Sequence, residues 1–215
     1  MALFKNRFDA GRQLGQLLEK YKDGDVVVYA LPRGGIEVAV EIAKHLNAPL
    51  DLVFAHKIGH PYQPEYAIAA VSESGHMVGS PYELASMSRV WLEGEKEHQM
   101  QEIKRRRKLY LGERKEISVS GQIAIIVDDG VATGLTMQAG IQELKDRHPK
   151  KIIVAVPVAP RNTANLLRSL ADDLVGIEIS DEGGFLGSVG AYYDQFYQVE
   201  DTEVIAILKG HQWKK

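Results

Sequence analysis

The chain has 215 residues, 45% of them hydrophobic and 26% charged, the composition of a soluble globular protein long enough to bury a core of its own. Its 26 Lys and Arg against 29 Asp and Glu give a net charge of −3, without the basic excess of a general nucleic-acid binder, and the lack of cysteine excludes disulfide frameworks, cysteine-ligated zinc and thiol nucleophiles. No apolar run approaches a membrane span and Met1–Arg7 lacks the apolar core of a signal peptide, so a cytoplasmic protein without a membrane partner is expected.

Asp9 to Lys22 places Leu14, Leu17, Leu18 and Tyr21 on one helix face, with Asp9 as the expected N-cap. Val26 to Leu31 is a β-branched run of the kind that forms a buried strand, and Ile36 to Leu46 returns to helical spacing. Leu50 to Ala55 is a further strand, followed by an expected loop through Gly59, Pro61 and Pro64. Tyr66 to Ser72 is expected to be a strand and Glu73 to Ser80 a turn or hairpin. Tyr82 to Tyr110, charged and free of proline, reads as one long or two short helices. Strands are expected at 122–127, 151–158 and 174–179, with helices at 134–147, 162–170 and 202–208. Apolar strands alternating with helices predict an α/β fold: an open parallel sheet with helices on both faces. Segment 82–116 is the candidate for a helical insertion within a single domain spanning 1–215. Ligands of such sheets bind beyond the C-terminal strand ends, which directs attention to the turns after Leu31, Ala55 and Val127.

The run Ile123-Ala-Ile-Ile-Val-Asp128-Asp129-Gly130-Val131-Ala132-Thr133-Gly134-Leu135-Thr136 ends a buried strand in two carboxylates and opens a helix through a Gly/Thr-rich turn. Backbone N–H groups and hydroxyls at a helix N-terminus suit a phosphate monoester. No Walker A lysine and no G-x-G-x-x-G is present. Carboxylates beside such a cradle fit sugar hydroxyls or a hydrated Mg²⁺ rather than the phosphate itself. A phosphate, a diol and a divalent ion describe a ribose 5-phosphate unit.

This run resembles the 5-phosphoribosyl-1-pyrophosphate (PRPP) motif of the type I phosphoribosyltransferases. The resemblance implies that Asp128 and Asp129 bind the ribose and share in holding Mg²⁺, and that Val131 through Thr136 (Ala132, Thr133, Gly134 and Leu135 between them) wrap the 5-phosphate, with Thr133 and Thr136 supplying hydroxyls; Gly130 also counts among the substrate-binding residues. Pro32-Arg33-Gly34-Gly35 looks like the family's pyrophosphate loop, where small residues admit two phosphates close to the backbone and Arg33 supplies a fixed charge. Lys57 stands where members often carry a cation for the pyrophosphate, and Ile58 to Ala67 would then be the flexible loop that closes over the site. Arg33, Lys57 and Asp129 are the expected catalytic residues. Asn6 to Leu14 also resembles a branch of predicted, uncharacterised phosphoribosyltransferases.

The implied reaction displaces pyrophosphate from PRPP by a nucleobase-like nitrogen acceptor, giving a nucleoside 5′-monophosphate, as in nucleotide salvage. Members acting on 6-oxopurines carry an aspartate where this chain has Ala132, and the local string is closer to that of the adenine enzyme; the base itself is not assigned. A base hood is expected from 82–116 or from Phe185–Phe196, within the 181–215 stretch. The alternative is a PRPP-sensing regulator of the same fold that binds RNA or DNA, using the basic run Lys104–Lys108. The acidic balance predicts no nucleic-acid partner, and a homodimer is left open. Arg105-Arg106-Arg107 is expected to be a solvated helix face among glutamates. His56 and His60 are discounted as a metal pair, and the sequence does not separate core, interface and stacking roles for Trp91 and Trp213.

Overall fold

The structure, a computed structural model, describes residues 2–181 and 183–211. In chain order the elements are α1 (Arg7–Leu17), β1 (Val26–Ala30), α2 (Gly35–Leu46), β2 (Leu50–Leu52), β3 (Ala55–His60), β4 (Gln63–Ser72) and β5 (Met77–Gly79). There follow α3 (Pro81–Ser86), α4 (Arg89–Leu111), β6 (Ile123–Val127), α5 (Leu135–Lys145), β7 (Lys151–Pro160), α6 (Arg161–Leu170), β8 (Asp173–Ser180) and α7 (Asp201–Gly210). The expected alternation is present. Trp213 lies outside the described residues.

Five strands form a parallel sheet in the order β2-β1-β6-β7-β8, the predicted α/β architecture. β1 and β6 are apolar at every position, and β7 from Ile152 to Ala159, because both their faces are covered. Along β1, Val26, Val28 and Ala30 enter one hydrophobic cluster with α1, α2, α4 and α7, while Val27 and Tyr29 enter the opposite cluster with α5 and α6. Burying each of these valines contributes roughly 1.5–3 kcal/mol relative to leaving it exposed. The order places a topological switch between β1 and β6: α2 leads outward to β2, and α5 leads the other way to β7.

Three expectations need correction. The strand expected over Leu50–Ala55 is divided: Leu50–Leu52 is β2, at the edge of the parallel sheet, and Ala55 begins β3 of a second, three-stranded sheet. The first helix is capped by Asn6, not Asp9: the Asn6 side chain accepts the Asp9 N–H at 2.9 Å, and Asp9 reaches back to accept the Lys5 N–H. The helix ends at Leu17, and Glu19–Tyr21 is a 3₁₀ turn. The segment expected to be a loop, 58–67, is instead largely a hairpin, in which β3 and β4 pair antiparallel and β5 adds a third strand. Its chain breakers are tolerated because the register shifts on either side of Gly59, and β5 pairs only with 69–71, leaving Pro64 on an edge.

Segment 82–116 contributes the short α3 and the 23-residue α4. Leu92, Ile103, Tyr110 and Leu111 of α4 join the same cluster as α2 and β1. The small sheet shares both cores, with Ile58, Ile68, Ala69 and Val71 in one cluster and Ala55 and Ala70 in the other, and the turn between β4 and β5 is held to α5 and α4 by polar contacts. Glu143 of α5 accepts from the Ser74 N–H and hydroxyl, and Arg107 of α4 pairs with Glu73 at 2.9 Å.

Candidate active site

Two helix N-termini meet at the switch point. Gly34 caps α2 directly after β1, and Gly134, in the left-handed region at φ +75°, caps α5 a short turn after β6. Neither has a side-chain cap, and the positive ends of both helix dipoles face the switch point, a setting that suits an anion; at α2 the Ile36 and Glu37 N–H groups already donate to the Arg33 and Gly34 carbonyls at 3.2 and 3.4 Å.

The turn after β6 is held from below. The Val131 N–H donates to the Val158 carbonyl at 3.0 Å, and the Thr163 hydroxyl donates to the Ala132 carbonyl at 2.7 Å. Ala132 and Thr133 are exposed at its crest, with Leu135 and Thr136 half-buried. At Gly134 a Cβ would stand 2.8 Å from Thr163 Cγ2, and at Gly130 (φ +150°) 2.5 Å from Val189 Cγ1, so both glycines are required by packing as well as by conformation.

The glycines of the other loop have a reason that the sequence did not reveal. A Cβ on Gly34 would lie 2.0 Å from Asp129 Oδ2, and one on Gly35 would lie 2.8 Å from the Val127 carbonyl oxygen. They let the β1 loop pack against the Asp128–Asp129 pair; close approach to phosphates is a separate matter. The Pro32–Arg33 peptide within this loop is cis.

The carboxylates have different surroundings. Asp128 lines a cavity of about 350 Å³ together with Pro32, His56, Lys57, Arg106 and Thr136. Asp129, whose side chain keeps 16% of its exposure, turns to Arg7, whose Nε donates to Oδ2 at 2.6 Å. Burial first, and the neighbouring Asp129 charge second, push the Asp128 carboxyl well above the usual carboxylate range. Burial also raises Asp129, opposed by Arg7.

Arg7, absent from the sequence-based site, organises this corner. It also faces Glu37 at 3.6 Å, donates to the Tyr197 carbonyl at 2.7 Å and lies 3.7 Å over the Phe196 ring. The Tyr193 hydroxyl donates to the Asp129 carbonyl at 2.6 Å. The only sequence signal for Arg7 was its place in the Asn6–Leu14 stretch.

Of the expected cations, Lys57 is exposed on β3 and makes no salt bridge among the described residues. Arg33 is drawn instead to the start of α7, 3.5 Å from Asp201 and 3.8 Å from Glu200. The arginine run is not a uniformly solvated face. Arg105 is exposed, but Arg106 lines the cavity while its Nε donates to Glu102, and Arg107 pairs with Glu73 and Glu116.

Among the described residues no three His, Cys, Asp or Glu side chains are grouped to cage a metal. The donor set is what Mg²⁺ accepts when it arrives with phosphate oxygens and keeps most of its waters. No helix of the described residues is long and apolar enough to cross a membrane.

A family model described as the phosphoribosyl transferase domain matches residues 5–194. Two curated Mycobacterium tuberculosis proteins, from strains CDC 1551 / Oshkosh and ATCC 25618 / H37Rv, are 39% identical over 97% of the chain; their names give phosphoribosyl transferase as an inferred activity. The chain spans about half (47%) of the length of these relatives. The crystal structure of TT1426 from Thermus thermophilus is 37% identical, covers 97% of this chain and 98% of its own, and superposes with a TM-score of 0.80. AQ2163 from Aquifex aeolicus, 12% identical over 89% of this chain and 87% of its own, shares the fold at a TM-score of 0.50.

Proposed function

The chain belongs to the phosphoribosyl transferase domain family, and from that premise we propose that it transfers the 5-phosphoribosyl group of Mg·PRPP to a ring nitrogen of a nucleobase-like acceptor, releasing pyrophosphate. The observation that carries this reading is the meeting of two uncapped helix N-termini at the β1/β6 switch point, beside a cavity that holds Asp128, Lys57 and Thr136. Such a pair of anion sites flanking a carboxylate suits a substrate with a phosphate at one end, a pyrophosphate at the other and a diol between them.

In this reading the turn 130–136 and the N-terminus of α5 take the 5-phosphate, with Thr133 and Thr136 adding hydroxyls. Asp128 and Asp129 hold the ribose hydroxyls, and Asp128 shares in holding the Mg²⁺ that the substrate brings. Gly34, Gly35 and the N-terminus of α2 take the pyrophosphate. Lys57 and Arg106 neutralise it across the cavity, and Arg33 exchanges its α7 carboxylates for it. As the C1–O bond breaks, positive charge grows on the ribose and negative charge on the leaving group. Fixed dipoles and cations placed beforehand stabilise both, so the chain's contribution is positioning and electrostatics. The reading carries with it residues 1–215 as one transferase domain, a nucleoside 5′-monophosphate product, a place in cytoplasmic nucleotide salvage, small-molecule partners and no nucleic acid.

Lys57 provides a test. Its charge matters most when pyrophosphate departs, so Lys57→Ala is expected to lower kcat by about a hundredfold while PRPP affinity changes far less. Steady-state kinetics with calorimetric PRPP binding separates the two, and unchanged turnover removes Lys57 from the site.

A further inference from the structure

The long helix of segment 82–116 has one side committed to the chain and one side free of it. Leu92, Ile103 and Tyr110 of α4 enter the core and Arg106 reaches the cavity beside Asp128. On the other side Val90, Glu93, Gly94, Glu97, Lys104 and Lys108 are exposed, at intervals of three, four and seven that keep them on one face of the helix.

The charges of this stripe are divided by sign. Glu93 and Glu97 stand one turn apart in its N-terminal half, and Lys104 and Lys108 one turn apart in its C-terminal half. Like charges four residues apart repel, so the arrangement costs the isolated helix stability that alternating signs would have supplied. None of the four makes a salt bridge among the described residues, whereas Glu102, Arg105, Arg106 and Arg107 of the same helix all do. The couples Glu93/Lys108 and Glu97/Lys104 share one midpoint, between Met100 and Gln101. A two-fold axis through that point lays a second α4 antiparallel on the first. Glu93 then faces the partner's Lys108 and Glu97 faces the partner's Lys104, each contact occurring twice, as an isologous interface requires.

Gly94 fits the same arrangement. Its φ is outside the left-handed region and a Cβ there would meet nothing within 4 Å, so neither conformation nor packing within the chain calls for glycine. Glycine inside a helix is destabilising relative to alanine, and what it permits in return is the close approach of another backbone. Val90, one turn earlier and 85% exposed, adds an apolar contact at the same end. A nucleic acid fits the stripe less well than a second copy does, because Glu93 and Glu97 carry the sign of the phosphate backbone.

We propose that α4 pairs antiparallel with the α4 of a second copy of this chain, through the stripe from Val90 to Lys108. A polar stripe without an apolar centre suits a reversible dimer rather than an obligate one.

The test is sedimentation equilibrium of the full chain at low salt, over about 1–200 μM, where reversible dimers dissociate measurably. Wild type is compared with Glu93→Lys, Glu97→Lys, with Lys104→Glu, Lys108→Glu, and with an equimolar mixture of these two double variants. Wild type is expected to dimerise, more weakly as salt is raised. Each double variant has a stripe of one sign, and its dissociation constant is expected to rise at least about tenfold. The mixture is expected to restore a one-to-one complex. Gly94→Gln, which raises helix propensity and so keeps the fold, is also expected to weaken the dimer. Monomeric wild type overturns the proposal. Double variants that self-associate as tightly as wild type overturn it too, since the dimer would then use another face. A mixture that stays monomeric, with both variants folded by circular dichroism, overturns the charge pairing on which the proposal stands.

Discussion

Mg·PRPP is expected to raise the melting temperature of the wild-type protein and to leave that of the Asp128→Asn, Asp129→Asn double variant unmoved. At a hundred times its dissociation constant, a ligand that binds only the native state adds about 2.7 kcal/mol. For a chain of this size that corresponds to roughly 5–10 °C. The double variant keeps the shape of the site, since the amide oxygen introduced by Asp128→Asn can still accept the backbone N–H of residue 129 that Asp128 Oδ1 now accepts. It loses the carboxylates that the proposed site offers to the ribose hydroxyls and the substrate's Mg²⁺. The unliganded fold should survive, because two effects oppose each other. Removing Asp128's charge relieves a carboxylate that burial disfavours, while Arg7 loses one partner and keeps Glu37 and the Tyr197 carbonyl. A thermal shift equal to that of wild type in the double variant would remove the pair from the ribose site.

Arg7→Met is expected to be the most destabilising single change in this region. The arginine side chain retains 7% of its exposure, and the two carboxylates that it faces, on Asp129 and Glu37, retain 16% each. Burial alone already pushes both carboxyls above their usual range, and Arg7 is what opposes that push. Methionine fills much of the volume but leaves two buried charges without their cation, for which about 3–5 kcal/mol is the usual loss. Adding Asp129→Asn to Arg7→Met should recover part of that loss, since it removes one of the orphaned charges. Urea unfolding of both single variants, the double variant and the wild type measures the coupling. A loss under about 1 kcal/mol in Arg7→Met would place the pair with ordinary surface ion pairs.

Much of the fold was legible because the parallel sheet writes itself as uninterrupted apolar runs. Val26–Leu31 and Ile123–Val127 need no alternation when their odd and even side chains enter two different cores. The β3–β4 hairpin was not legible: Gly59, Pro61 and Pro64 are loop formers in isolation, and only the shifted register and the partial edge allow them within paired strands. Asn6 was passed over for Asp9 because the two occupy the two ends of one capping arrangement, and which carries the cap depends on the backbone of the first turn.

The site divides in the same way. Asp128, Asp129 and the turn to Thr136 form one contiguous run, so a strand end, a carboxylate pair and a helix start could be recognised together. Arg7 reaches Asp129 across 122 residues of sequence, a distance that no local pattern spans. Arg106 was masked by its neighbours. A run of three arginines among glutamates reads as solvated, yet a helix sends adjacent residues in different directions, and of these three only Arg106 lines the cavity beside Asp128.

The central claim is that this chain breaks PRPP at C1, and pyrophosphate release tests it most directly. Purified protein with Mg·PRPP is assayed against a panel of purine and pyrimidine bases, with the nucleoside monophosphate followed in parallel. The account predicts release that requires both PRPP and one base, with one monophosphate formed per pyrophosphate. No release with any base, together with no calorimetric binding of Mg·PRPP, would contradict it.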